Sequence, residues 1–177
     1  MKNYLEQIDQ YAKELENFVS VHNLPEAWFA QPDHVAIKCA DGMDYEDTME
    51  EFKDEAEQRT WVKMHGRRLG SVKLISSLAL GNFGDVSWVE VMEPRPEKVG
   101  KDVVGFDHAE FHYPHFKPII MTFNLRKIKY SIPDDNPEHG AVVVVINEDT
   151  GHELKLNDKT LADIVAHELK EGKATIL

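Results

Sequence analysis

The sequence predicts an α+β fold assembled from two similar units, each opening on an Asp-His strand and ending on a strand with a charge at its centre. Three observations lead there. Over residues 105–115 polar residues alternate with apolar ones. Strand side chains point to alternate sides, so His108, Glu110 and His112 share one face while Phe111 addresses another layer. Asp33-His34-Val35-Ala36-Ile37 then echoes Asp107-His108-Ala109-Glu110-Phe111, and internal repetition of this kind indicates copies of one supersecondary unit. Finally, each Asp-His strand is followed, at a similar separation, by a strand centred on a charge. These are residues 87–91 around Glu90 and residues 152–156 around Lys155.

Imidazole nitrogen and carboxylate oxygen are ligand types for Zn, Fe, Ni or Mn, and two His with one carboxylate match the facial arrangement of non-haem iron sites. A polar face on an antiparallel strand is equally the pattern of a solvated face. Both readings stand at this point.

Composition bounds the rest. The chain has 177 residues, 42% apolar and 29% charged, which is the balance of a globular domain. A net charge of −12 argues against nucleic acid or an anionic membrane surface as partner. No apolar run approaches the ~20 residues that span a bilayer, and the N-terminal segment is acidic where a signal peptide would be apolar, so the expected location is cytoplasmic. The single cysteine, Cys39, excludes an internal disulfide and a Cys-rich zinc site.

Taken in order, Tyr4, Ile8, Tyr11, Leu15 and Phe18 recur at helical spacing, so residues 4–21 read as an amphipathic helix, with Asn3 and Glu6 as its capping pair. Pro32 precedes the first strand, which puts His34, Ala36 and Lys38 on one face and Val35, Ile37 and Cys39 on the other. Asp41 or Asp44 caps a second helix with the seam Tyr45, Met49, Phe52 and Ala56. Lys63, Arg67 and Arg68 follow as a basic cluster that offsets the acids of that helix. Alternation returns over residues 71–80, and residues 81–85 form a hairpin turn into a strand over residues 86–92. There Glu90 lies on one face with Val86, Trp88 and Met92. A carboxylate in such company needs a cation, a metal or a proton. Pro94 and Pro96 mark a linker. After the His108 strand, Pro118 starts a short helix to about Ile128, and residues 130–132 form a short strand. Residues 133–139 are turn-rich, residues 140–147 form a buried strand, and residues 148–151 turn into the last strand. Asn157 or Asp158 then caps a helix with Leu161, Ile164, Val165 and Leu169 inward.

The two His-Glu-Leu tripeptides, at His152 and His167, lack the second His of a zinc-protease helix, and neither a glycine-rich phosphate loop nor a nucleophile turn is present. What the chain does carry is an ordered set of short motifs. They are Asp33-His34-Val-Ala-Ile-Lys-Cys39, Trp88-Val-Glu90-Val with Pro94 and Pro96, Phe106-Asp-His108-Ala-Glu110, Glu138-His139, and Leu154-Lys155 leading to Leu161 through Glu168. In these the sequence resembles the vicinal oxygen chelate superfamily of glyoxalases, extradiol dioxygenases, epimerases and antibiotic-resistance proteins, and more closely its YecM-like family.

The resemblance implies paired βαβββ modules forming a cup-shaped, mostly antiparallel sheet. It divides one compact domain into a helical extension (1–31), a first module (32–95), a linker (96–102), a second module (103–158) and a C-terminal helix (159–177). It also implies a divalent metal on His34, His108 and Glu90, with Glu110 and Lys155 as catalytic groups. Lys155 departs from the pattern, since it stands where the superfamily commonly has a Glu and an ammonium cannot ligate. Glu110 or Glu153 would substitute. Otherwise Lys155 supplies the charge that Glu90 or Glu110 needs and leaves a metal-free pocket. The expected function is that of a metal-dependent isomerase or dioxygenase-like oxidoreductase acting on a small molecule through two neighbouring oxygens. The alternatives are a metal-free binding protein of the antibiotic-resistance type, packed by Trp88, Met92 and Phe111, and a structural or interaction domain.

Overall fold

The structure, a computed structural model, describes residues 4–101, 103–132, 140, 142–146 and 150–177. Its framework is one eight-stranded sheet. In chain order the strands are β1 (Pro32–Lys38), β2 (Ala56–Met64), β3 (Arg67–Ala79), β4 (Asp85–Met92), β5 (Gly105–His112), β6 (Val142–Ile146), β7 (Glu153–Asn157) and β8 (Ala174–Ile176). In space they run β6-β7-β5-β1-β4-β3-β2-β8. Among the described residues only β1/β4 and β5/β7 are parallel pairs; the others are antiparallel. The two Asp-His strands are therefore neighbours at the centre, and each pairs on its outer side with the charged strand of its own unit. This is the predicted α+β architecture.

Alternation sorts the two faces. Val35, Ile37, Val89, Val91, Ala109 and Phe111 point into the main core, which they share with helices α1 (Tyr4–Val21), α2 (Gly42–Glu51) and α3 (Phe116–Arg126). α1 lays Tyr4, Ile8, Tyr11, Leu15 and Val19 on this face, the side away from His34. Its polar groups tie it to the strands, as where Gln7 Oε1 accepts the Phe106 amide at 2.7 Å. Ile8 is 2% exposed. Ile8→Ala should therefore lower stability by about 2–5 kcal/mol in urea unfolding; a cost under about 1 kcal/mol would detach α1 from the core.

The other face is concave, and α4 (Leu161–Lys170) crosses it. Leu161 and Val165 rest on Trp88 there, while Ala36, Val62, Leu69 and Met92 form a separate apolar patch. Topology demands the crossing, because the chain leaves β7 near one edge and returns as β8 at the other. Six strand spacings of ~4.8 Å amount to ~29 Å along the sheet, against ~15 Å for a ten-residue helix. The three-residue loops on either side of α4, 158–160 and 171–173, make up the difference.

Several local expectations need correction. α2 ends at Glu51 and Ala56 begins β2, so the helical seam stops at Phe52. The basic cluster belongs to the β2/β3 hairpin, where His65 and Gly66 (φ 50° and 79°) make a two-residue turn between paired Met64 and Arg67. Asp41, not Asp44, caps α2 by accepting the Met43 and Asp44 amides. Thr160, not Asn157 or Asp158, caps α4. Ser131 is a single bridge residue within the expected 130–132 strand, and β8 was unforeseen. Asn3, the 133–139 turn, residues 147–149 and the Glu138-His139 motif lie outside the described residues.

Candidate metal centre

The centre is built by the pairing of β1 with β5. In that ladder Pro32 faces Phe111 and His34 faces Glu110, so Asp33 is passed over; Ala36 faces His108 and Ile37 faces Phe106, so Asp107 is passed over. Each skipped Asp is the extra residue of a bulge, which re-aims its side chain beside the following His. The result is the same at both places. His34 Nδ1 donates to Asp33 Oδ2 at 2.8 Å, and His108 Nδ1 donates to Asp107 Oδ2 at 2.8 Å. Both imidazoles are thereby fixed in orientation with Nε2 left for the centre. Each Asp has a second partner. Asp33 Oδ2 accepts the Leu161 amide at the start of α4 (2.8 Å), and Asp107 Oδ1 lies 2.6 Å from Lys38 Nζ.

The parallel pairs bring in the carboxylates. Glu90 is level with Ala36, two residues along from His34 on the same face, and His34, Glu90 and His108 each offer a donor atom within 4.8 Å of the others'. Glu110 Oε2 is 4.0 Å from His34 Nε2, and Glu110 Oε1 accepts from Asn157 Nδ2 at 2.7 Å. The two rings stand edge to face, 5.8 Å between centroids. His34, His108 and Glu110 are buried and Glu90 is half-buried. The solvated-face reading thus fails for these four residues.

Burial and charge set the two imidazoles apart. Burial works against the charged form of His34, but the carboxylates of Glu110, Asp33 and Glu90 outweigh it and its pKa rises to about 9. For His108 burial is reinforced by the Lys155 ammonium and by His34, and its pKa falls to about 3 despite Asp107. Burial also raises Glu110, against the pull of His34, Lys155 and Asn157. Asp107 would be raised by burial too, yet His108 and Lys38 hold it below the ordinary carboxylate range. The surrounding carboxylates thus favour the protonated form of His34, while burial and Lys155 favour the neutral form of His108.

Lys155 does not pair with Glu90 or Glu110 as its sequence position suggested. Its Nζ lies 3.4 Å from Glu153 Oε2, and Asn157 is the close partner of Glu110. Phe111 belongs to the opposite core and cannot line the cup, whereas Trp88 and Met92 do lie on the concave side. Glu153 joins Asp107 and His108 in a neighbouring group of possible ligands. The sequence reasoning missed Asp33, Asp107, Lys38 and Asn157. The signal for the first two was present, since an Asp precedes each His, but an alternating strand would have sent that Asp to the other face. The bulges are what bring it back.

Three comparisons bear on identity. The structure superposes on the structural-genomics protein EC4020 with a TM-score of 0.73 at 16% identity, covering 94% of this chain and 92% of that one. It also superposes on methylmalonyl-CoA epimerase from Mycobacterium tuberculosis (TM-score 0.51, 13% identity, 72% and 86% coverage) and on a methylmalonyl-CoA epimerase in complex with methylmalonyl-CoA and NH4+ (TM-score 0.50, 18% identity, 71% and 92%). Comparison with curated proteins gives no match. The likeness to the epimerases is one of fold, the glyoxalase-like fold, which in this chain places paired units around two central antiparallel strands. The YecM protein family model matches residues 1–168, and the chain belongs to that family.

Proposed function

We propose that this protein holds a divalent metal ion on His34, His108 and Glu90 and acts as a small-molecule isomerase, with Glu110 moving a proton at a carbon beside a chelated oxygen. The observation that carries this is the convergence of three donor groups within 4.8 Å, from three strands. The donor chemistry fits, because two Asp-oriented imidazoles and a carboxylate make the two-His, one-carboxylate set typical of such ions. When bound, the ion supplies Lewis-acid stabilisation to an oxyanion on a ligand with two neighbouring oxygens. The side chains do the rest. Glu110 has one oxygen fixed by Asn157, which leaves Oε2, directed toward His34, to take a proton. Burial raises its pKa toward the working range of a general base. That free, raised carboxylate beside the donor set favours proton transfer over oxygenation.

The test is deuterium incorporation from D2O at C–H bonds next to a carbonyl, across a panel of small 2-oxo and 2-hydroxy compounds, using metal-loaded protein. Glu110→Gln should abolish exchange while keeping the metal. Exchange that survives in that variant, or wild type that binds no divalent ion, would overturn the reading. Asp33→Asn weakens the hold on His34 without touching a donor atom. It is expected to reduce metal affinity about 10–100-fold in calorimetric titration, and unchanged affinity would leave Asp33 with only its role at the start of α4.

A further inference from the structure

We infer that the ligand of this site is a small carboxylate, of the 2-oxo or 2-hydroxy acid class, and that Lys155 anchors its carboxylate group. The inference rests on the metal reading above and adds the substrate class to it. The first observation is positional. Ala36 is level with Glu90 across β1/β4, and Glu110 is level with Lys155 across β5/β7. The central strands are antiparallel neighbours carrying matched Asp-His pairs, so the two units are related by an approximate two-fold axis between them. Under that relation Lys155 occupies in the second unit the place of Glu90 in the first, and Glu110 occupies the place of Ala36. The second unit has put a carboxylate on the inner strand and an ammonium on the outer one.

The second observation is where that ammonium sits. Its ion pair with Glu153 spans 3.4 Å, against 2.6 Å for Lys38 with Asp107, and the Lys155 side chain is 21% exposed where those of His34 and His108 are 4% and 1%. Lys155 therefore lies at the solvent side of the donor cluster, level with Glu110 across β5/β7. A fixed positive charge beside a cation site costs binding energy unless an anion comes between them. A 2-oxo or 2-hydroxy acid does this with few atoms. One carboxylate oxygen and the oxygen on the next carbon form the vicinal pair, and the other carboxylate oxygen is left for Nζ. The roof of Leu161 and Val165 on Trp88 stands next to His34, and favours a compact, partly apolar substituent on the far side.

The experiment uses Mn2+ and oxalate as probes on the full chain. Mn2+ is titrated first into wild type and Lys155→Met, and oxalate is then titrated into each Mn2+-loaded protein, with neutral acetohydroxamic acid as a second chelator. Mn2+ affinity should be kept or tightened in Lys155→Met, which also shows the variant folded. Oxalate affinity should fall at least about tenfold, the scale of one charge-assisted hydrogen bond, with acetohydroxamic acid changed little. Equal oxalate affinity in both proteins, or an equal loss for both chelators, overturns the anchor while leaving the metal reading intact. Wild type that takes no Mn2+ removes the metal reading, and the anchor with it.

Discussion

His108→Ala should cost more than the ~100-fold in divalent-metal affinity that loss of an outer partner can cost, because it deletes a donor outright. His112→Ala, on the same strand, should change affinity little. The pair is informative because alternation alone places both residues on one face with Glu110. Only His108 has its Nδ1 held by a carboxylate and its ring among donors from β1 and β4. The variant should remain folded. His108 is neutral in the metal-free protein, so its removal strands no charge, and Asp107 keeps Lys38 at 2.6 Å. Titration of Mn2+, Ni2+ and Zn2+ into the two variants and wild type makes the measurement. Equal loss in both variants would mean that the imidazoles act through general charge, and no loss in His108→Ala would remove it from the ligand set.

The architecture was legible wherever a pattern had period two or 3.6 over enough residues. The amphipathic run of α1, the alternation in β1, β4 and β5, and the repeated Asp-His strand together required two units meeting at a sheet centre. β2 was hidden because it follows α2 with hardly a break, and its mixed residues, among them Gln58, Arg59 and Thr60, have neither a helical stripe nor an apolar run. The overlooked signal was His65-Gly66, a pair suited to the positive φ that a tight hairpin turn needs. In the site, His34, Glu90, His108 and Glu110 could be named from strand parity. Their supports could not, because parity is what a bulge breaks. The partner of Lys155 was also out of reach, since Glu153 and Glu110 are both plausible from β7, and Asn157 settles the matter by taking Glu110.

Metal-free protein should be most stable near pH 6.5 and lose stability in both directions, each limb belonging to a different histidine. The folded-state pKa of His34, about 9, lies above its unfolded value of 6.5. Its contribution is therefore complete below pH 6.5 and is lost as pH rises toward 9. The folded-state pKa of His108, about 3, lies below 6.5. The unfolded chain then binds the extra proton on acidification, and stability falls from pH 6.5 downward. Each limb has a limiting slope of about 1.4 kcal/mol per pH unit, that of a one-proton difference. Glu110 titrates jointly with His34, and Asp107 adds to the acid loss from the ordinary carboxylate range downward, so variants are needed to separate the limbs. Urea unfolding in EDTA from pH 4.5 to 9.5 should show the alkaline limb flattened in His34→Gln and the acid limb flattened in His108→Gln. An alkaline limb unchanged in His34→Gln would mean that His34 is neutral at pH 7. Divalent metal must displace the His34 proton, so titration at pH 7.5 in two buffers of different ionisation enthalpy should show close to one proton released per ion bound. The same cation that stabilises the empty site is then the one that a metal ion replaces.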